Sequence, residues 1–491
     1  MSPQRINVAR PKEVYDYIFC GGGTSGCVIA GRLTEDPNVK VMVVLEAGPD
    51  SEDLEYVHMA GGWTNSFDTE LDWKIVTEPQ DKINNRQVKD TTGRFLGGTS
   101  GINGSTAETF HSKDWHRADL SVHGTSGPLR TEPQDLAPIS ELVRESLMFS
   151  TGETAHGCGD APRTVYQGIR TMAADFITKD RKRDNIMIKT EVTVDRVILS
   201  LDRDEITATG VIKYLARKEV IIAAGAYCSP TILMPLLMFY EVSPPNLTND
   251  HRVYHGSAME TTYKLWKDKK TGVLSSIPFG ISAGPASTRA SPLLSPPPPP
   301  PPPPNLLGRD PMGLLPTQPN VEFWSMELYW GPKQFTDYPV DDKHAFAIRG
   351  SVKLRPKDAR ENPMVDHKYL EHPIDMLVIS EVCRFANEVV MEGDATKGVV
   401  KTSWPELRHY EYTEREEWDE YVKEHAMSCY HPSGTCAMGR SDDVNAVLDF
   451  RLRVRGVRNL RVAYVSSVPK VNNGHIRKCK LKVYKVLIFS E

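Results

Sequence analysis

The chain has 491 residues, a length typical of two or three domains, and its 40% apolar and 25% charged residues are ordinary for a folded protein. A formal net charge of −5 provides no basic surface of the kind that binds nucleic acid or anionic membranes. No apolar run approaches the ~20 residues of a membrane span, and neither a secretory signal nor a peroxisomal tripeptide is present, so we expect an intracellular, cytoplasmic protein.

The first predicted element is a strand, glycine turn and helix near the N-terminus. Residues 15–20 read as a buried strand, and the glycines that follow fit the pattern Gly-x-Gly-x-x-Gly. Gly21 allows a tight turn, and Gly23 lets the backbone approach a pyrophosphate. Gly26 lets the following helix pack closely on the strand, and the N-terminus of that helix faces the phosphate charge.

A second buried strand ends at Glu46, about 20 residues after Gly26, which is the spacing of the ribose-binding acid in dinucleotide-binding proteins. A carboxylate at this place accepts hydrogen bonds from a ribose and disfavours a 2′-phosphate. The unit therefore predicts a dinucleotide site. By itself it leaves NAD and FAD open as alternatives.

Two further glycine segments follow. Residues 91–104, "TTGRFLGGTSGING", are rich in glycine, and Arg94 is the one charged residue among them. Such a backbone passes close to a ligand, and its successive N–H groups can cradle an anion. Later, residues 220–224 form a predicted strand that leads into Gly225 and a helix opened by Ser-Pro.

Five motifs now stand in order along the chain: "GGGTSGCVIAGRL", "EAGP", "GRFLGGTSGING", "AAGAYCSPTIL" and "HPSGTCAMG". Together they resemble the glucose–methanol–choline (GMC) oxidoreductases, FAD enzymes that oxidise alcohols, and most of all their alcohol oxidase and choline dehydrogenase branches. The resemblance extends over nearly the whole chain. It implies an α/β fold in which a Rossmann-like FAD-binding domain is joined to an α+β substrate domain built on an antiparallel sheet.

The resemblance also implies which residues contact FAD. These are Gly21, Gly23, Thr24, Ser25, Gly26, Glu46, Gly97, Thr99, Asn103, Gly104, Val194, Gly225, Tyr464, Val465 and Ile476. Tyr464 departs from the family pattern, which has Asp at this position, and this weakens one expected cofactor contact.

Two histidines match the catalytic positions of the family. His431, in "HPSGTCAMG", corresponds to the catalytic histidine, and His475, in "NNGHI", corresponds to its partner in both residue type and spacing. An alcohol gives up hydride readily only when its hydroxyl proton is removed, and a neutral imidazole accepts such a proton near neutral pH. The resemblance therefore implies that His431 is the base and that His475 holds the substrate oxygen, while hydride passes to flavin N5.

Other interpretations of the "CYHPSGTCAMG" segment are weaker. A Ser433 or Cys436 nucleophile lacks a recognisable strand-to-helix elbow and an acid partner. Cys429, His431 and Cys436 are too irregularly spaced for a structural zinc site, and we expect no metal. For the whole chain, a catalytically silent homologue and an FAD-retaining lyase remain alternatives, because three segments are shorter than the family pattern.

The motif positions predict a discontinuous domain organisation. Residues 15–130, 185–235 and 428–480 would form the FAD-binding domain, and residues 250–427 the substrate domain. Residues 291–306 contain an unbroken proline run, which indicates an extended insertion. The expected partners are a small alcohol and oxygen or another electron acceptor, and neither nucleic acid nor membrane.

Overall fold

The computed structural model of the chain describes most of the N-terminal half and parts of the C-terminal half. The described residues are 13–39, 42–103, 127–131, 137–151, 158–160, 163–178, 183–194, 196–202, 205–211, 214–227, 233–234, 240–242, 258–275, 279–283, 323–326, 343–344, 349–350, 365, 369–370, 373–403, 409–427, 434–443 and 446–468. Among them, no helix has both the length and the apolar character needed to cross a bilayer.

The described elements are short strands and a few helices. The strands are β1 (Glu13–Cys20), β2 (Met42–Leu45), β3 (Ile75–Val76), β4 (Lys89–Asp90), β5 (Cys158–Asp160), β6 (Val165–Tyr166), β7 (Ile169–Arg170), β8 (Ile186–Lys189), β9 (Val197–Asp202), β10 (Glu205–Val211), β11 (Tyr214–Ile222), β12 (Leu233–Met234), β13 (Tyr240–Val242), β14 (Phe279–Ala283), β15 (Phe323–Met326), β16 (Lys343–His344), β17 (Arg349–Gly350), β18 (Val400–Ser403), β19 (Val457–Arg458) and β20 (Leu460–Val462). The helices are α1 (Thr24–Leu33), α2 (Glu55–His58), α3 (Pro138–Thr151), α4 (Ala258–Lys269), α5 (Pro373–Glu392) and α6 (Trp418–His425).

An eight-stranded sheet forms the frame of the protein. Its strand order is β19-β10-β11-β1-β2-β8, with β20 paired to β11 and β9 paired to β10. Strands β11, β1, β2 and β8 run parallel, and β20 is parallel to β11. Cys20 lies opposite both Leu45 and Ile222, and Ile222 lies opposite Val462. The carboxyl ends of β1, β2, β11 and β20 are therefore level at one edge, which is where open α/β sheets bind ligands.

Both faces of β1 from Tyr15 to Cys20, and of β2 from Val43 to Leu45, are buried, as their continuous apolar sequences predict. Phe19 and Val44 belong to a core on the side of α1, whereas their neighbours Ile18 and Val43 belong to a second core on the opposite side. This alternation follows from the pleat of a strand, and all four side chains have no exposed surface. Burying a side chain of this size contributes about 1.5–3 kcal/mol to the free energy of folding, so these strands hold the loops at their ends in place.

A further core joins α3, α5 and α6 through buried side chains that include Val143, Cys383 and Val422. The apolar residues of segment 373–391 recur at helical spacing, and this segment forms α5 in the structure. Ile83, from the N-terminal part of the chain, is buried in the same core. The N-terminal segment therefore packs against helices that come much later in the sequence.

Arg86 strengthens this connection at the end of α6. Its Nε and Nη2 donate to the carbonyl oxygen of Lys423 at 3.0 and 2.7 Å, and Nη2 also donates to that of Ala426 at 2.7 Å. Carbonyl groups at a helix C-terminus lack intrahelical donors and carry partial negative charge, which a guanidinium neutralises. Burial lowers the pKa of Arg86 from its ordinary value. The loop that contains Arg86 therefore holds the chain just before the segment with His431.

The predicted fold class is confirmed: a mostly parallel α/β sheet is accompanied by small antiparallel sheets, ordered β16-β13-β18 and β15-β14-β5, whose strands come from residues 158–403. The strands of the eight-stranded sheet come from the three segments predicted for the FAD-binding domain. The domain boundaries themselves stay a prediction. The predicted proline-rich insertion, residues 291–306, lies outside the described residues.

Candidate active site

The first glycine turn lies between the end of β1 and the start of α1. A Cβ atom on Gly21, whose φ is +110°, would lie 2.6 Å from the carbonyl oxygen of Ala223, and one on Gly26 would lie 2.1 Å from that of Gly21. Both glycines are therefore required by packing within the protein. Gly23 is different, because its Cβ would have only the Ala223 oxygen nearby, at 3.9 Å. The space beside Gly23 is open to a ligand.

The N-terminus of α1 has the properties of an anion site. Its N-cap, Gly23, supplies no side-chain hydrogen bond, and its first turn contains no acidic residue. Ser25 is fully buried there, and its hydroxyl oxygen makes no hydrogen bond within the protein. Unsatisfied N–H groups at a helix start attract negative charge, and a buried hydroxyl needs a partner. A pyrophosphate would satisfy both.

Glu46 lies at the end of β2, next to this turn. Its Oε2 accepts a hydrogen bond from the Gly22 N–H at 2.8 Å, and its Oε1 accepts one from the Gly48 N–H at 2.9 Å. Burial of the carboxyl group raises the pKa of Glu46 to about 7, although the backbone donors and the positive charge of Arg94 act in the opposite direction. Ribose hydroxyls would add donors and favour the ionised form.

This pKa gives a testable pH dependence for the apoprotein. In the unfolded chain Glu46 ionises near pH 4.3, but in the folded protein only near pH 7. The stabilisation that the protonated Glu46 provides is complete below its unfolded-state pKa, and it is lost as the pH rises through its folded-state pKa. We therefore expect the unfolding free energy of wild-type apoprotein to fall by about 3 kcal/mol, relative to Glu46→Gln, between pH 4.5 and pH 8.

Urea unfolding of both apoproteins across this pH range measures the effect. Glu52→Gln, a change at an exposed carboxyl group, is the matched control and should track the wild type. A constant difference between wild type and Glu46→Gln at all pH values would contradict the raised pKa.

The second glycine segment packs directly on the first. Gly97 and Gly98 have φ angles of +96° and +52°, which glycine adopts without strain. The Gly97 N–H donates to the Gly22 carbonyl oxygen at 2.7 Å, and a Cβ on Gly98 would lie 3.0 Å from Gly23 Cα. Thr99 follows in a 3-10 helix, Gly98–Gly101. The two predicted cofactor segments are therefore adjacent.

The third predicted cofactor segment lies where β11 and β20 end. The Ala463 N–H donates to the Ile222 carbonyl oxygen at 2.9 Å, so the two strands end side by side. Gly225 follows β11 with a φ of +88°, and its Cβ would have no atom within 4 Å. Tyr464 and Val465 are buried and pack with Ala226. Tyr464, where the family has Asp, thus supports the end of β11 by apolar contact.

The ends of these strands also hold the chain that follows His431. The N–H groups of Gly434, Cys436 and Met438 donate to the carbonyl oxygens of Val465, Ser466 and Ser467 at 3.1, 2.9 and 2.9 Å. The hydroxyl groups of Ser466 and Thr435 are buried and make no hydrogen bond within the protein. Residues 434–438 therefore lie at the carboxyl edge of the sheet, next to hydroxyl groups that lack partners.

The structure brings most of the predicted cofactor residues together at this edge. Val194 belongs to it as well, because it is half-buried against the sheet core and Val192 N–H donates to the Glu46 carbonyl oxygen at 2.8 Å. Asn103 is half-buried at the end of the second glycine segment. Four predicted site residues lie outside the described residues: Gly104, His431, His475 and Ile476. Within the described ranges, no group of three or more His, Cys, Asp or Glu side chains is arranged to bind a metal ion.

Sequence reasoning missed two residues that shape the site. Gly48 is required because a Cβ there would lie 1.9 Å from the Arg94 carbonyl oxygen. The motif "EAGP" is the sequence feature that could have identified it. Arg170 is completely buried and contacts Asn103. An isolated arginine in an irregular stretch of sequence carries no signal for this role.

Fold and site together define a protein that binds an adenine dinucleotide across the carboxyl edge of a parallel sheet. The family described as GMC oxidoreductase matches residues 348–477. The mitochondrial choline dehydrogenase of Mus musculus is 26% identical, with 95% of this chain and 87% of that protein covered, and the oxygen-dependent choline dehydrogenase of Rhizobium etli is 28% identical, with 94% and 92% covered. A crystal structure of formate oxidase has a TM-score of 0.82 at 19% identity and covers 98% of both chains. Over nearly its whole length the chain is therefore similar to GMC oxidoreductases, as its motifs predicted, and the family model itself matches its C-terminal part.

FAD is the cofactor that this family implies, and the described residues fit it. The open space beside Gly23, the unpartnered hydroxyl of Ser25 and the carboxyl group of Glu46 suit a pyrophosphate and a ribose. The residues that would hold FAD are thus those of the first two glycine segments, Glu46 and the ends of β11 and β20.

Proposed function

We propose that this protein oxidises the CH–OH group of a small alcohol to an aldehyde or ketone with FAD as its cofactor. When bound, FAD supplies the acceptor for the hydride that leaves the alcohol carbon. The curated relatives are named choline dehydrogenases, one of them oxygen-dependent. We therefore propose a small primary alcohol as substrate and oxygen or another small molecule as the final electron acceptor.

One observation carries this proposal: the backbone pairing of residues 434–438 with residues 465–467. It attaches the chain directly after His431 to the carboxyl edge of the sheet, where the cofactor residues meet. On the other side, Arg86 holds the end of α6 shortly before His431. The chain after the predicted base is therefore held at the edge where the cofactor residues meet, and the chain before it is held at the end of α6.

In this mechanism the protein handles the proton and the position of the substrate. His431, as a neutral imidazole, accepts the hydroxyl proton while the C–H bond breaks, so that charge does not accumulate as a free alkoxide. His475 donates to the substrate oxygen and shares the developing negative charge. Holding alcohol and cofactor in reacting geometry removes much of the entropic part of the barrier.

The test is anaerobic addition of alcohols to the purified, FAD-reconstituted protein. We expect the visible absorbance of oxidised flavin to disappear with choline or another small alcohol. The methyl ether of the same alcohol is the control, because it lacks the hydroxyl proton, and it should leave the spectrum unchanged.

The same experiment separates the alternatives. A protein that binds FAD but is not reduced by any alcohol would favour the lyase or the silent homologue and contradict our proposal. A protein that cannot be reconstituted with FAD would contradict the cofactor as well.

A further inference from the structure

Arg170 lies at the end of a two-residue hairpin. Strands β6 and β7 pair with Val165 opposite Arg170, and the turn between them has φ angles of +52° at Gln167 and +72° at Gly168. Positive φ angles at both turn residues match the tight hairpin turn whose twist suits the flanking strands. The hairpin thus places Arg170 at a defined point of the fold.

The Arg170 side chain is completely buried and reaches the second glycine segment. Its Nη1 donates to the Asn103 carbonyl oxygen at 2.6 Å and lies 3.4 Å from the Asn103 side-chain oxygen Oδ1. Its Nη2 donates to the carbonyl oxygen of Ala60 at 3.1 Å. One guanidinium therefore connects Asn103 with the 3-10 helix Ala60–Ser66.

The residues after Arg170 continue this contact along the glycine segment. The Ala173 N–H donates to the Ser100 hydroxyl oxygen at 3.0 Å, and that hydroxyl group donates to the Gly97 carbonyl oxygen at 2.7 Å. A Cβ on Gly97 would lie 3.2 Å from Ala174 Cβ. Residues 170–174 thus form the support behind the whole segment from Gly97 to Asn103.

The chemistry of the two side chains determines how Asn103 is oriented. A guanidinium has only donors, whereas an asparagine amide has an oxygen acceptor and an NH₂ donor. The amide must therefore turn its oxygen to Arg170, and its NH₂ group is directed away from the arginine. A charged donor also polarises the amide and strengthens its N–H groups as donors.

We propose that Arg170 is a positioning residue for the oxidation reaction: it holds the Asn103 side chain so that its NH₂ group donates to FAD or to the oxygen of the reacting alcohol. This inference rests on the proposed function. A buried charge is a poor means of gaining stability alone, since an apolar side chain of similar volume often serves as well. An arginine that reaches the side-chain oxygen of a cofactor residue has a directional role.

The experiment compares wild type with Arg170→Lys, Asn103→Ala, the double variant and Asn103→Asp. Each is reconstituted with FAD, its flavin midpoint potential is measured by photoreduction, and its rate of flavin reduction by the best alcohol is measured anaerobically. Lysine keeps the charge but loses the fork that reaches both Asn103 and Ala60. We expect Arg170→Lys to slow flavin reduction about 10-fold or more and to lower the potential, on the scale of a misplaced donor.

The decisive comparison is between Arg170→Lys in the wild-type protein and Arg170→Lys in the Asn103→Ala variant. If Arg170 acts through the Asn103 amide, Arg170→Lys has no further effect on rate or potential there; equal effects in both backgrounds would mean a structural support only and overturn the inference. Asn103→Asp leaves Arg170 untouched, so it keeps the inference testable if the arginine variant does not fold, and it should bind FAD yet react at least 10-fold more slowly. Asn103→Asp with wild-type rate and potential would equally overturn it. A wild type that no alcohol reduces would refute the proposed function, while the potentials would still test the inference.

Discussion

Gly26→Ala is expected to lower the unfolding free energy of the apoprotein by about 3 kcal/mol or more, the upper range for overpacking. The added Cβ would lie 2.1 Å from the carbonyl oxygen of Gly21, which is backbone and cannot rotate away. Alanine is favoured over glycine inside a helix by only about 1 kcal/mol, so the clash outweighs the gain in helix propensity. Urea unfolding of the apoproteins measures this loss.

Gly23→Ala is the matched comparison, three residues earlier in the same turn. Its Cβ would have a single protein atom nearby, at 3.9 Å, and the backbone there has an ordinary φ of −75°. We expect this apoprotein to unfold nearly as the wild type does but to bind FAD at least about 10-fold more weakly, which corresponds to about 1.4 kcal/mol.

Fluorescence titration of each apoprotein with FAD measures the affinity. Wild-type affinity in Gly23→Ala would show that no ligand occupies the space beside Gly23. Wild-type stability in Gly26→Ala would show that α1 and β1 do not approach as closely as the structure indicates. The two glycines thus test the protein packing and the ligand contact separately.

The sequence predicted the parts of the fold that depend on local pattern. The apolar run before Gly21 predicted β1, and the second strand was predicted to end at Glu46, which in the structure follows β2 and accepts a hydrogen bond from the Gly22 N–H. The helical periodicity of residues 373–391 likewise agrees with α5. Such features are visible because strand, turn and helix repeat their signals within a few residues.

Contacts between distant segments could not be predicted in this way. Arg170 and Asn103 are 67 positions apart, and Arg86 and Lys423 are 337 apart. In both cases the shorter hydrogen bonds of the arginine go to main-chain carbonyl groups, which every residue carries, so these bonds do not mark the partner by its residue type. The requirement for glycine at position 48 also depends on a backbone atom of a distant residue, Arg94.

The departure at Tyr464 shows how a substitution can be accommodated. The family resemblance predicted a weakened cofactor contact there, because Asp is replaced. In the structure Tyr464 is buried with Ala226 and Val465, so the side chain contributes apolar packing at the end of β20. The loss of a polar cofactor contact at this position stays a prediction.

His431→Ala is expected to slow flavin reduction by alcohol about 10²–10⁴-fold, the usual contribution of a general base, while FAD remains bound. In the wild type the rate should rise with pH as the imidazole loses its proton, because only the neutral ring accepts a proton from the alcohol. Because alanine has no titrating group, this pH dependence should vanish in the variant. Anaerobic stopped-flow measurements between pH 5 and 9 give both results.

His425→Gln provides a control from the same stretch of chain. His425 stacks on the Tyr421 ring with 4.1 Å between ring centroids, and its Nδ1 is 2.9 Å from the Tyr421 carbonyl oxygen, so it is a structural part of α6. Its replacement should leave the rate and its pH dependence unchanged. Free imidazole should partly restore flavin reduction in His431→Ala, since it supplies the missing base. If His431→Ala is reduced as fast as the wild type without added imidazole, another group accepts the proton and His431 has no catalytic role.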